Sequence, residues 1–266
     1  MDKLNKKRHE LKKKFLNRQN VFAAWTSLCH PSISEIFSRA VVDFVGIDIE
    51  HSTISQEQSQ RIIAACQAMG TLCLPRIASH NMEMIKRLLD SGADGIIVPM
   101  VDTPEQAEKL ISWCKFPTRG KRSFGIARAQ GYGFDFDDYA KNWNDASSLI
   151  VQIESVTGVE NIDKILSFDE IDGAMVGPYD LSGSLGIPGQ LDHHKVIEAS
   201  RKVIDACARH NKACGTQIVE PDIENVKNAF SSGYTFVVLS SDVFLLWKWS
   251  EKMKHLINIL GDTKKR

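Results

Sequence analysis

Several acidic residues, one histidine and one arginine follow short apolar runs of this sequence, at the points where buried strands would end. In chain order these endings are Asp48-Ile49-Glu50-His51, Arg76, Gln152-Ile153-Glu154 and Tyr179-Asp180. A single acid after a strand is ordinarily a helix cap, and Asp180 has that alternative interpretation. Together, however, these residues predict one functional site.

Glu154 and Asp180 predict a site for a hard divalent cation. They would close neighbouring strands, and no cysteine pair or histidine cluster accompanies them. Carboxylate oxygens and water are the ligands that such cations prefer. A cation held in this way keeps coordination positions for a bidentate oxygen ligand, such as a 2-oxo acid.

Arg76, His51 and Asp48 predict the catalytic groups of the same site. Arg76 offers a fixed positive donor for an oxyanion. His51 is the natural general base near neutral pH, and Asp48 could orient it. Glu50 shares a strand face with Asp48, so we expect both at the same opening. Backbone amides around Tyr179-Asp180, at a turn into a helix, could hold a carboxylate.

The sequence lacks the residues that Schiff-base, nucleophilic and phosphate-binding sites would need. None of the apolar runs ends in lysine, which disfavours a Schiff-base mechanism. No serine or cysteine stands in a nucleophile elbow, and no phosphate-binding glycine loop follows a strand.

Eight apolar runs alternate with helical stretches along the chain. The runs cover residues 21–28, 43–49, 71–76, 94–98, 149–153, 172–176, 213–217 and 235–239. The helical patterns cover 55–69, 81–90, 103–114, 194–210, 221–230 and 242–260, with another near 136–145. This alternation predicts an α/β fold, a single (β/α)8 TIM barrel over residues 1–266, with a doubly wound sheet as the alternative. In a TIM barrel the active site lies at the carboxyl ends of the strands.

Composition excludes some classes of partner. The chain has 33 basic and 33 acidic residues, and zero net charge argues against a dedicated nucleic-acid binder. Residues 1–18 hold eight Lys or Arg and two acids, with Leu4, Leu11 and Phe15 at roughly helical spacing. This pattern predicts a solvated amphipathic helix or, alternatively, a basic targeting or binding arm. No apolar run approaches the ~18 residues that span a membrane. The six cysteines form no C-x-x-C pair, and we interpret them as buried residues of a cytoplasmic protein.

The motifs resemble those of the HpcH/HpaI aldolases, which are metal-dependent class II pyruvate aldolases. The matching stretches are Asp48-Ile49-Glu50-His51, Pro75-Arg76-Ile77, 89–101, Gln152-Ile153-Glu154, 158–162, 177–182 and 184–186. The likeness covers roughly residues 20–245.

The resemblance implies a (β/α)8 barrel of the phosphoenolpyruvate/pyruvate type. It implies a homohexamer, built as a trimer of dimers, whose C-terminal helix is exchanged between subunits. It also implies Mg²⁺, Mn²⁺ or Co²⁺ held by Glu154 and Asp180. Arg76 would bind the keto oxygen of pyruvate and stabilise its enolate, and His51, aided by Asp48, would act with a water as the base. The residues implied in substrate binding are Arg76, Gln152, Tyr179, Asp180, Glu50 and Asp90, the last reaching a neighbour's site.

The expected function is therefore cleavage or formation of a 4-hydroxy-2-oxo acid, of the 2-keto-3-deoxy sugar acid type, from pyruvate and an aldehyde. One alternative is a related enzyme that uses oxaloacetate or an acyl-CoA, and another is a non-catalytic binding barrel. Two stretches depart from the family pattern: Gly120-Lys121-Arg122-Ser123 in place of Gly-x-Arg-Gly, and Ser52-Thr53-Ile54 where Gly-Pro is common. Both belong to the aldehyde half of the family's site, so the aldehyde is left open.

Overall fold

The eight predicted strands form a closed, all-parallel barrel in chain order in a computed structural model that describes residues 3–262. The strands are β1 (Val21–Thr26), β2 (Phe44–Asp48), β3 (Leu72–Arg76), β4 (Gly95–Val98), β5 (Ser148–Ile153), β6 (Gly173–Val176), β7 (Ala213–Ile218) and β8 (Phe236–Leu239). β1 pairs with β8 and closes the barrel. The (β/α)8 prediction is confirmed, and the doubly wound alternative is wrong.

Helices surround the barrel between the strands. They are α1 (Lys3–Leu16), α2 (Pro31–Ser38), α3 (Gln56–Ala68), α4 (Met82–Asp90), α5 (Pro104–Cys114), α6 (Phe136–Ala146), α7 (Val156–Glu160), α8 (Ile162–Leu166), α9 (Pro178–Ser184), α10 (His194–Arg209), α11 (Ile223–Ser231) and α12 (Asp242–Asp262), with a 3₁₀ helix at Arg128–Gly133. Ser55 and Thr103 directly precede α3 and α5 and form complete capping boxes, which explains where these two helices begin. The short helices α2, α7 and α8 were not predicted.

Helix α1 closes the amino-terminal end of the barrel. Leu11 and Phe15 are buried, and the Phe15 ring packs against those of Phe44 and Phe236, with centroids 6.5 and 5.8 Å away. The predicted amphipathic helix is present, and it packs its apolar side chains into the interior of the barrel.

The basic residues of this segment bind groups that precede the strands. Lys14 pairs with Asp43, Lys7 with the Gly70 carbonyl, Arg8 with Asp94, Lys12 with the Ser147 carbonyl and Asp172, and Arg18 with the Lys212 and Gly233 carbonyls. One of these partners lies just before each of the strands β2 to β8. Much of the positive charge of residues 1–18 therefore has partners within the barrel. Met1 and Asp2 lie outside the described residues.

The cysteines follow the predicted pattern with one exception. Cys66, Cys73, Cys114, Cys207 and Cys214 are buried free thiols, whereas Cys29 is exposed in the loop after β1. Cys29 was interpreted as buried, and that is wrong because its loop lies at the open end of the barrel. Between residues 3 and 262 there is no helix with the length and apolar character needed to cross a membrane.

Candidate active site

Arg76 is held by two carboxylates at the carboxyl ends of β2 and β3. Strand register places Asp48 opposite Arg76. Asp48 Oδ1 accepts hydrogen bonds from Arg76 Nη2 and Nε at 2.9 and 3.2 Å. Arg76 Nη1 lies 3.2 Å from Glu50 Oε2. Both acids fix the guanidinium, and its positive charge offsets the cost of burying them.

An aromatic ring supports Arg76 from the barrel interior. The guanidinium carbon lies 5.2 Å from the centre of the Trp25 ring, within cation–π distance. Trp25 has room because β2 carries Gly46 beside it: a Cβ at Gly46 would lie 2.3 Å from the indole. The orientation of Arg76 is therefore set by two acids and one ring before any substrate binds.

His51 lies at the edge of this group and is largely exposed. Its backbone N–H donates to Asp48 Oδ1 at 3.1 Å, while its ring Nε2 lies 3.7 Å from Glu50 Oε2. Asp48 therefore holds the His51 loop through its backbone, and Glu50 is the acid beside the imidazole. Burial raises the pKa of Glu50, and the charges of Arg76 and His51 oppose this effect.

Glu154 is buried at the end of β5. Its Oε2 accepts a hydrogen bond from the backbone N–H of Met100 at 3.0 Å, and its Oε1 accepts one from Gln152 Nε2 at 2.5 Å. Met100 adopts a left-handed conformation with φ of 52°, which is uncommon for a residue with a side chain. Burial raises the pKa of Glu154 to about 7; the Met100 amide opposes the rise, and the charges of Glu50 and Asp180 add to it.

The surroundings of Glu154 fit a bound cation. Gln152 Oε1 is buried without a hydrogen-bond partner. A Cβ at Gly177 would lie 2.5 Å from Glu154 Oε1, so the glycine leaves space beside the carboxylate. Within residues 3–262, no group of three or more His, Cys, Asp or Glu side chains is arranged to hold a metal ion. Two carboxylates and an amide oxygen suit Mg²⁺ or Mn²⁺, which keep several positions for water or substrate.

Tyr179 and Asp180 lie in the first turn of α9, which follows β6. Both are exposed, and Asp180 lies close enough for its charge to raise the pKa values of Glu50 and Glu154. The structure thus brings Asp180 to the same opening as the residues of β2, β3 and β5. Tyr179 lies at that end of the barrel too, with its side chain facing solvent.

Asp90 is placed apart from this group. It ends α4 and accepts a hydrogen bond from Arg122 Nη2 at 2.8 Å. Arg122 also donates to the Tyr139 hydroxyl at 3.0 Å and stacks near the Phe116 and Trp143 rings. Across residues 3–262, neither Asp90 nor Arg122 forms a hydrogen bond or ion pair with the site residues, which are Asp48, Glu50, His51, Arg76 and Glu154. Within one subunit Asp90 is therefore a partner of Arg122.

Two groups at the site, the Trp25 ring and the Met100 amide, were missed by sequence reasoning. Trp25 carried a signal, because strand alternation puts it on the same face as Val21 and Ala23. The Met100 amide had no signal in the sequence, because its direction depends on a left-handed backbone conformation that a methionine does not predict.

Comparisons with known proteins agree with this geometry. The sequence pattern of the family described as HpcH/HpaI aldolase/citrate lyase matches residues 22–248. The chain is 34% identical over 237 residues to a hydroxypyruvate/pyruvate aldolase of Roseobacter denitrificans, covering 88% of this chain and 91% of that one. It is 34% identical over 239 residues to a 2-keto-3-deoxy-L-rhamnonate aldolase of Klebsiella pneumoniae, covering 88% and 87%.

A solved structure gives the same result. An HpcH/HpaI aldolase/citrate lyase family protein from Burkholderia cenocepacia superimposes with a TM-score of 0.87 at 26% identity, over 94% of this chain and 99% of that one. The relatives named above are aldolases, which are carbon–carbon lyases. The predicted resemblance is confirmed: this chain is a carbon–carbon lyase of the aldolase type and belongs to the HpcH/HpaI aldolase/citrate lyase family.

Proposed function

We propose that this aldolase cleaves or forms a 4-hydroxy-2-oxo acid of the 2-keto-3-deoxy sugar acid type, with pyruvate and an aldehyde as the other partners. The observation that carries the proposal is the placement of Arg76 between Asp48 and Glu50, at the same opening as the buried Glu154. A guanidinium fixed at this position suits an enolate, because an enolate is the anion that pyruvate becomes when the carbon–carbon bond is made or broken. The names of the relatives support the substrate class.

Glu154 and Asp180 would hold the divalent cation, and the buried Gln152 Oε1, which has no hydrogen-bond partner, would be a further oxygen donor. When bound, Mg²⁺, Mn²⁺ or Co²⁺ would act as a Lewis acid that polarises the 2-oxo group. Burial and, to a lesser extent, the charges of Glu50 and Asp180 raise the pKa of Glu154, and a bound cation would oppose both effects. The amides at the start of α9, around Tyr179 and Asp180, would hold the substrate carboxylate.

The chain's own residues would bind, orient and move protons. Arg76 would donate to the keto oxygen and bind it more tightly as negative charge develops there, which is the interaction that lowers a barrier. Asp48 would keep the guanidinium in place. His51, beside Glu50, would with a water remove the proton from the aldol hydroxyl during cleavage and return it during synthesis.

The test is pyruvate release from a panel of 4-hydroxy-2-oxo acids, with Mn²⁺ present and after complete chelation with EDTA. We expect turnover with Mn²⁺ and none after chelation. Undiminished turnover without metal would contradict the role of the cation. Reaction with oxaloacetate or an acyl-CoA, where every 4-hydroxy-2-oxo acid fails, would favour the alternative enzyme class.

A second measurement isolates the cation from the reaction. Binding of Mn²⁺ can be followed by the loss of its free-ion electron paramagnetic resonance signal. We expect Glu154→Ala and Asp180→Ala to abolish binding, because each removes one of two charged ligands. Glu160→Ala, which removes an exposed acid at the end of α7, should bind Mn²⁺ as the wild type does. Retention of binding by both site variants would count against this ligand set.

The assembly is also part of the proposal. We propose a homohexamer, a trimer of dimers, in which α12 is exchanged between subunits. None of the apolar side chains of α12 is buried against its own barrel, and Leu246, Trp247, Trp249 and Ile257 are all about half exposed or more. Beside β1 and β8 lies an apolar groove formed by Phe22, Ile223, Val226, Phe230 and Leu239, which the equivalent helix of another subunit would fill. Five buried free thiols agree with a cytoplasmic location.

A further inference from the structure

Asp242, the first residue of α12, is a buried acid for which the chemistry above has no use. Its Oδ2 accepts hydrogen bonds from Thr26 Oγ1 at 2.8 Å and from the Leu28 amide at 3.0 Å. Its Oδ1 accepts from the amides of Ser27 at 2.9 Å and Val243 at 2.8 Å. Within residues 3–262, no Lys, Arg or His forms an ion pair with this carboxylate.

The direction of these bonds separates Asp242 from an ordinary helix cap. A capping acid satisfies amides of its own helix, and here only Val243 is such a donor. The other donors, from Thr26 to Leu28, belong to the end of β1 and the loop that follows it. Burying a carboxylate without a cation is costly unless several donors converge on it. The acid therefore fixes the β1 loop more than it caps α12.

The β1 loop in turn contacts the site through one hydroxyl. Ser27 Oγ donates to Asp48 Oδ2 at 3.3 Å. The other oxygen, Asp48 Oδ1, accepts hydrogen bonds from the Arg76 guanidinium and from the backbone N–H of His51. A continuous set of hydrogen bonds therefore runs from the start of α12 through Ser27 and Asp48 to the arginine.

We propose that Asp242 is a positioning residue for the reaction: by fixing Ser27 it sets the orientation of Asp48, and through Asp48 that of Arg76. Its kinetic effect rests on the proposed aldolase function, because only then does Arg76 act on the developing enolate. The positional effect on Arg76 does not depend on that function.

The kinetic test compares Asp242→Asn, Ser27→Ala and the double variant in pyruvate release with Mn²⁺. We expect each single variant to lower kcat about tenfold, with a smaller change in KM, since a misplaced group costs most in the transition state. The double variant should be no slower than Asp242→Asn alone, because both changes act through one contact. Ser27→Thr retains a hydroxyl and should recover most of the rate.

Asp222→Asn is the matched control, because Asp222 caps the neighbouring helix α11 and bonds only within its own segment. It should leave kcat unchanged. Multiplicative losses in the double variant, or wild-type kcat in Asp242→Asn, would overturn the proposal.

A structural signal keeps the proposal testable if no substrate is turned over. Arg76 lies on the Trp25 ring, so 5-fluorotryptophan at position 25 should report its position by ¹⁹F NMR, with the resonance assigned from Trp25→Phe. We expect the resonance to shift in Asp242→Asn and Ser27→Ala but not in Asp222→Asn. Absence of pyruvate release by the wild type would refute the proposed function alone, whereas an unmoved resonance in both site variants would refute the role of Asp242.

Discussion

Arg76 shows how a charge is prepared before substrate arrives. Two carboxylates and an indole ring fix the guanidinium, and its planar fork is what allows Asp48 and Glu50 to be engaged together. A lysine would keep the charge but not this geometry. The shape of the group, more than its charge, is therefore expected to decide the rate.

We expect Arg76→Lys to lower kcat for pyruvate release by about 10²–10³, the usual loss for a donor to a developing oxyanion. The rate with saturating 4-hydroxy-2-oxo acid and Mn²⁺ measures it. Arg61→Lys is the matched control, since Arg61 pairs only with Glu57 on the exposed face of α3. A comparable loss in both variants would show that the effect is not local to the site.

Lys115 gives a prediction about pH. It is buried at the end of α5, and its Nζ donates to the carbonyls of Asn144 and Ser147 and to the Ser147 hydroxyl, at 2.8 to 3.1 Å. Burial lowers its pKa to about 7, and the charge of Lys12 adds to this effect. Between pH 7 and its ordinary pKa, the unfolded chain therefore binds a proton that the folded chain has released, and stability rises with pH.

Lys115→Met removes this titration. The free energy of unfolding of the wild type, relative to this variant, should increase by about 2 kcal/mol from pH 7 to pH 9. Urea unfolding at both pH values and one protein concentration measures the difference. Lys109→Met, on the exposed face of the same helix, should show no such change. A wild-type advantage that is constant or falls with pH would contradict the shifted pKa.

At the scale of elements, α1 is stabilised by buried ion pairs. Arg8 Nε lies 2.7 Å from Asp94 Oδ1, with both side chains almost fully buried. We expect Arg8→Ala to reduce the free energy of unfolding by about 3 kcal/mol, because it leaves a buried acid without its cation. Urea denaturation at fixed protein concentration measures the loss.

The control for Arg8 lies on the same helix. Lys6 pairs with Glu10 at 3.9 Å, and both side chains are more than half exposed. Lys6→Ala should therefore change stability by less than about 0.5 kcal/mol. Equal losses in the two variants would mean that α1 is not held by its buried pair.

The helices and strands differ in how well their own residues predict them. Strands such as β5 and helices such as α3 carry local signals, an apolar run or a capping box, and these were predicted within a few residues. The docking of α1 was not predictable in this way, because its partners lie as far along the chain as Phe236. The site shows the same division. Asp48, Arg76 and Glu154 follow from strand ends, whereas the roles of Met100 and Asp242 depend on contacts that only the closed barrel makes.

At the scale of the whole molecule, the exposed face of α12 predicts an assembly. Trp249 is 60% exposed although it is large and apolar. We expect Trp249→Glu to sediment as a smaller species than the wild type in analytical ultracentrifugation, since burying a charge in the interface would be costly. Ile197→Glu alters an equally exposed apolar residue on α10 and is expected to sediment as the wild type. A full-size assembly in Trp249→Glu would argue against exchange of this helix.

Helix α1 also has a consequence for how the protein is made. A ribosome releases this helix ahead of every strand, yet its partners are spread from Asp43 to Phe236. No complete docking surface exists until the eighth strand has emerged and paired with the first. Contacts so distant in sequence form only after the intervening chain has been ordered. A helix that is made before every strand therefore obtains its complete docking surface only when the last strand is in place.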